Sequence, residues 1–136
     1  MLARICFAAL LWWIPTWPVS AQGGGAAGQW RCRHANQSVS NNRFENWIYE
    51  FGLALFPNGG FQAQGSYTAM TAGFSVPLVA QGRWQQSNQG VVVRGSEQRQ
   101  DGTRQPLTLV FTSVTQGVMS NRFQSAQGIL ATYCSR

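Results

Sequence analysis

Phe61-Gln62-Ala63-Gln64-Gly65-Ser66-Tyr67-Thr68 alternates a residue of low polarity with a polar one through eight positions, directly after the turn sequence Pro57-Asn58-Gly59-Gly60. A strict period of two places the apolar set on one face of a strand and the polar set on the other, so this stretch predicts a strand with a core on one side only. The turn supplies a fixed φ at proline and a glycine tolerant of positive φ, which a hairpin needs. Upstream, residues 46–56 set Trp47, Tyr49, Phe51, Leu53 and Leu55 against Ile48, Glu50, Gly52, Ala54 and Phe56. The two runs and their turn therefore form an antiparallel hairpin.

The same grammar extends in both directions. Residues 29–34 put Trp30, Cys32 and His34 on one face and Gln29, Arg31 and Arg33 on the other, followed by a polar link rich in Asn and Ser. After a loop near Thr71 to Pro77, residues 78–86 carry Leu78, Ala80, Gly82 and Trp84 on one face against Gln81, Arg83 and Gln85. Further strands begin at Val91-Val92-Val93 and cover Leu107, Leu109 and Phe111, with 99–105 as their connection; two more lie near 117–123 and 128–134. Turn residues every eight to twelve positions and the lack of a helical period predict an all-β domain of eight antiparallel strands. Closing these into an up-and-down barrel removes both exposed edges and brings the first and last strands together, within bridging distance for Cys32 and Cys134. A β-sandwich is the alternative. A membrane barrel is disfavoured, because the Gln62-Gln64-Ser66-Thr68 and Gln81-Arg83-Gln85 faces are polar where lipid would lie.

Residues 1–21 have the form of a secretory signal peptide: Arg4 at the start, an apolar core over 5–14, and the small-residue cleavage site Val19-Ser20-Ala21. The apolar run is too short to span a bilayer and is broken by Pro15 and Pro18, so no transmembrane anchor is expected after cleavage. Residues 22–28 read as a flexible Gly/Ala leader and 29–136 as one barrel domain, periplasmic or secreted. In an oxidising compartment Cys32 and Cys134 form a structural disulfide, not a reactive thiol site.

All ten basic residues are arginine, and without Arg4 nine of them face four acids, Glu45, Glu50, Glu97 and Asp101. Such a balance attracts anionic partners such as lipid headgroups, acidic glycans or an acidic protein. Nucleic acid is not favoured, since the arginines are scattered and export removes the chain from most of it.

Gly28-Gln29-Trp30 at the opening strand resembles the Gly-x-Trp triplet with which lipocalins and related calycin barrels begin. The resemblance extends to strand count, size and terminal disulfide. It implies a barrel with a mouth, a small apolar ligand, and a basic side chain, Arg136 or Arg122, closing over Trp30 at one end of the barrel.

Catalytic chemistry is poorly provided for. His34 is the only histidine, no Gly-x-Ser-x-Gly elbow is present, and one histidine with two paired cysteines cannot assemble a zinc site, so no catalytic residue, metal or cofactor is expected. Glu45 and Glu50 are the one pair that would fit glycoside cleavage, but they lie on or beside a single strand. The aromatic set is the better functional candidate: Trp47, Tyr49, Phe51, Phe61, Tyr67, Phe74 and Trp84 would line the interior of an eight-stranded barrel, which either fills with side chains or holds one small ligand. Gly65, Gly82 and Gly95 on the same faces either leave room or mark where strands bend. The sequence therefore predicts a non-enzymatic exported binding protein for a small apolar or amphipathic, anionic molecule. The alternative is a protein-interaction module such as an inhibitor of an exported hydrolase or an envelope accessory protein.

Overall fold

The computed structural model of the protein describes residues 24–136; the signal sequence expected over 1–21 lies outside them. A 3-10 turn, Gly24–Ala26, precedes nine strands: β1 (Gly28–Ser40), β2 (Arg43–Leu55), β3 (Gly60–Ala69), β4 (Phe74–Ser87), β5 (Gly90–Arg99), β6 (Arg104–Phe111), β7 (Ser113–Val114), β8 (Val118–Ser125) and β9 (Gly128–Ser135). All belong to one antiparallel sheet in the order β6-β5-β4-β3-β2-β1-β9-β8-β7.

The expected closed eight-stranded barrel is therefore corrected: among the described residues the strands form one curled nine-stranded sheet, not two packed sheets. The edge strand β6 comes against β8 and β9, but no ladder joins it to β7 or β8. The reason is local: after Phe111 the chain passes through Thr112 into the two-residue β7, which pairs only with Ser120 and Met119. β7 thus takes the β8 edge that a closing β6 would have used at that level.

Three local expectations also change. β1 does not stop near His34 but pairs with β2 as far as Ser40↔Arg43, turning at Asn41 and Asn42 with φ of 50° and 61°. Asparagine is the non-glycine residue best suited to such left-handed turn positions. β4 begins at Phe74, so Pro77 is a strand residue opposite Ser66; β5 reaches β4 only from Leu78 onward, which leaves proline's missing N–H without a ladder to break. The segment read as a flexible leader is, from Gly24, a turn whose Ala26 is fully buried and whose carbonyl accepts a hydrogen bond from Trp30 Nε1 at 2.8 Å.

Cys32 and Cys134 face each other on β1 and β9 with Cα atoms 4.1 Å apart and are joined as a disulfide across 102 residues of chain. They belong to one buried core, which includes Trp30, Leu53, Leu55, Phe61, Trp84, Val91, Val93, Leu109, Phe111 and Met119. Gly82 and Gly95, directly opposite each other on β4 and β5, lie beneath the Phe61 ring, whose Cε1 would come within 2.9 Å of a Cβ at either position. These glycines make room for a core ring, so this end of the sheet is filled. Burial of these large side chains is the main stabilising term, on the order of 1.5–3 kcal/mol each.

Candidate binding site

Away from the filled end, the inner face carries rings. Pairing across β1, β2 and β3 aligns His34, Tyr49 and Tyr67 in one row and Asn36, Trp47 and Ala69 in the next, with Phe74 of β4 opposite Ala69. Because strand side chains alternate faces, all five rings project inward from neighbouring strands. They touch in succession: His34–Trp47 at 5.2 Å between centroids, Trp47–Tyr49 at 5.3 Å, Tyr49–Tyr67 at 4.9 Å and Tyr67–Phe74 at 6.2 Å. Exposure rises along this wall, from buried Tyr49 through half-buried Trp47 and Tyr67 to exposed Phe74.

Facing the wall is a polar group on β5 and β6. Glu97 is only 2 % exposed, and Tyr49 Oη donates to its Oε1 at 3.0 Å across the inside of the sheet. Ala63 and Ala80, the inner residues level with Glu97 on β3 and β4, are small. Arg99 lies over the Tyr67 ring with its guanidinium carbon 4.3 Å from the centroid, a cation–π contact. Its Nη2 donates to Tyr49 Oη at 3.3 Å and to Glu97 Oε1 and Gln105 Oε1 at 3.5 Å. Two atoms of this group, Glu97 Oε2 and Arg99 Nε, are buried without a protein hydrogen-bond partner. Orphaned buried polar atoms are costly, commonly about 1–3 kcal/mol each, so they mark a place where something polar belongs.

The titration of the site follows its burial. Burial pushes the His34 imidazole down to about 4, so it is neutral at physiological pH, and its Nδ1 lies 2.7 Å from Thr132 Oγ1. Burial also pushes the Tyr49 hydroxyl up to about 12, aided by the Glu97 carboxylate and opposed by its hydrogen bond from Arg99. Arg99 is raised above its ordinary value: burial acts against its charge, but contacts with Tyr49 and Glu97 outweigh it. Beside the neutral imidazole, Arg99 and Glu97 form an ion pair at 3.5 Å.

Of the seven rings expected to line an interior, the structure brings Trp47, Tyr49, Tyr67 and Phe74 together, with His34. Phe51, Phe61 and Trp84 lie in the core, the last with its Nε1 bonded to Phe56 O at 2.8 Å. At the opposite end Arg136 stacks over Trp30 at 4.3 Å and donates to the carbonyls of Gln116, Ala27 and Gly25, beside Gly28 at the start of β1. Arg122 is exposed on β8, opposite Ala131, and does not reach Trp30.

Glu45 and Glu50 are an odd number of residues apart on β2 and so face opposite sides, Glu50 outward opposite Arg33 and Glu45 at the exposed rim opposite Ser38. They make no cleft with each other or with His34. Among the described residues, no group of three or more His, Cys, Asp and Glu side chains is placed to hold a metal ion.

Glu97 and Arg99 were absent from the sequence expectation because Ser96-Glu97-Gln98-Arg99 is uniformly polar and resembles a connector. The usable signal was positional: Val91, Val93, Gly95, Glu97 and Arg99 continue one period-two face without interruption. Comparison with known proteins finds no matching family model, no matching curated protein and no matching solved structure.

Proposed function

We propose that the protein is an exported, non-enzymatic binding protein that takes a small, flat, apolar or amphipathic molecule against the ring wall of its curled sheet. One observation carries this reading: graded, half-exposed rings converge on a buried carboxylate and a part-exposed guanidinium that each retain an unpartnered atom. Apolar walls with a few placed polar groups are the usual make-up of small-molecule sites. The ligand's body would stack on Trp47 and Tyr67, and its polar group would pair with the part-exposed Arg99 guanidinium beside Glu97. Because that pair is charge-balanced, a neutral group that both donates and accepts fits better than the anionic head suggested by net charge. The disulfide supports an oxidising destination, periplasmic or secreted. Among the described residues no helix is long and apolar enough to cross a membrane.

The test is fluorescence titration of the mature protein with neutral N-phenyl-1-naphthylamine and anionic 1-anilinonaphthalene-8-sulfonate. Saturable binding of the neutral probe, at least as tight as that of the anionic one and lost in Trp47→Ala/Tyr67→Ala with the melting temperature retained, is expected. Absence of saturable binding, or binding indifferent to both substitutions, overturns the reading.

A second reading rests on the rim. Met70, Phe74, Phe123 and Leu130 are large apolar side chains between 36 % and 64 % exposed, and such residues also suit a protein partner docking over the same end.

A further inference from the structure

The outer face of the sheet holds a second feature, distinct from the ring wall. Its strand register sets Arg31, Gly52, Gln64, Val79, Gln98 and Arg104 side by side across β1 to β6. At β2 the row sinks, because Gly52 has no side chain and the next outward residue, Ala54, has only a methyl. The result is a shallow trough made of two adjoining hollows, about 650 and 990 Å3, that share Gln29, Gly52 and Gln64. At about 4.8 Å per strand, five strand intervals make it roughly 24 Å long.

Its chemistry is uniform. Gln62, Gln64, Gln81 and Gln98 present exposed amides along the trough, with Arg31 and Arg104 at its two flanks. Arg33 extends the first flank; Arg83 and Arg94, opposite each other on β4 and β5, lie outside the lining of both hollows, with Arg83 donating to Asn58 O at 3.4 Å, and add positive charge to the same face. Against these arginines the face carries one carboxylate, Glu50. Aromatic anchors of the kind that dominate protein interfaces are scarce on this face: Trp30 and Phe51 border the second hollow but are buried toward the core, and among outward side chains of the lining Val79 and, at one end, Tyr133 are the larger apolar ones. A flat bilayer surface would not reach into a trough.

We infer that this outer trough binds an acidic polysaccharide strand, with the glutamine amides hydrogen-bonding sugar hydroxyls and the flanking arginines pairing with its carboxylates. Arginine suits that role because its planar fork matches a carboxylate with two parallel hydrogen bonds.

The experiment is calorimetric titration of the mature protein at low salt with oligogalacturonate. Dextran serves as the neutral control, inorganic polyphosphate as the charge control, and phosphatidylglycerol/phosphatidylcholine vesicles as the membrane control. The key variant is Gly52→Leu. A Cβ at position 52 meets nothing closer than 4.0 Å, so the chain accommodates the side chain while the trough is filled and the charge is unchanged. Arg31→Ala/Arg104→Ala and Gln62→Ala/Gln64→Ala act on exposed residues and keep the fold, which melting curves verify. Saturable, salt-sensitive binding of oligogalacturonate but not dextran, weakened at least about tenfold in each of the three variants and unaffected by Trp47→Ala/Tyr67→Ala, is the expected result. Equal binding of polyphosphate with indifference to Gly52→Leu overturns the inference in favour of a nonspecific basic surface. Binding to vesicles alone, or no binding, overturns it as well.

Discussion

Acidification from pH 7 to pH 4 destabilises this protein through its single histidine. The imidazole of His34 is held at about 4 by burial, against about 6.5 in an unfolded chain. Between those values the unfolded chain binds a proton that the folded chain refuses, so folding stability is complete above pH 6.5 and falls as the pH drops toward 4. Linkage over this interval gives a loss of about 2 kcal/mol by pH 5 and about 3 kcal/mol by pH 4. These figures are ceilings, since the ring is only partly buried and solvent relaxation will reduce them. The assay is urea denaturation of an untagged protein comprising residues 22–136 at half-unit pH intervals, run beside His34→Gln, which keeps a polar side chain facing Thr132 and does not titrate. The difference between the two stability profiles isolates the histidine from the four carboxyl groups, and NMR titration of the lone imidazole reads its pKa directly. Parallel profiles for the two proteins, or an imidazole titrating near 6.5, would refute the burial argument.

Removing the disulfide with Cys32→Ser/Cys134→Ser frees the 102-residue loop in the unfolded chain and costs about 4–5 kcal/mol in denaturant, by the chain-entropy relation. Tyr49→Phe leaves buried Glu97 without its shortest hydrogen bond and lowers stability by about 1–3 kcal/mol, whereas the same change at exposed Tyr133 stays within about 0.5 kcal/mol. Arg136→Ala loses the stack on Trp30 and its backbone acceptors, a cost of about 1–2 kcal/mol in thermal or chemical melts; Arg122→Ala costs less than about 0.5 kcal/mol.

The strands were legible in the sequence because one face of most of them is buried, and period two then writes itself into the residue types. Phe61 to Thr68 and Trp47 to Leu55 are the clearest cases. Sheet closure was not legible: whether β6 pairs with β8 depends on two residues, Ser113 and Val114, turning into a short strand, and no periodicity marks so small an element. The β1–β2 turn was obscured for a related reason, since polar Asn41 and Asn42 sit within a longer polar stretch whose flanks are themselves strand. At the site, Trp47, Tyr49, Tyr67 and Phe74 announced themselves as aromatic residues at alternate positions. Phe51, Phe61 and Trp84 obey the same pattern, and only the three-dimensional packing separates core rings from wall rings. Glu97 and Arg99 were hidden because an inward-facing ion pair uses the residue types of a loop; their even spacing behind Val91 and Val93 was the sole trace.

The most direct test of ligand binding is native mass spectrometry of the protein, expressed as the full chain and purified without denaturation, beside Trp47→Ala/Tyr67→Ala prepared identically. The expected result is an excess mass of a small molecule on the wild-type chain, released on denaturation and absent from the double variant. A bare polypeptide mass for both proteins, across repeated gentle preparations, would contradict it.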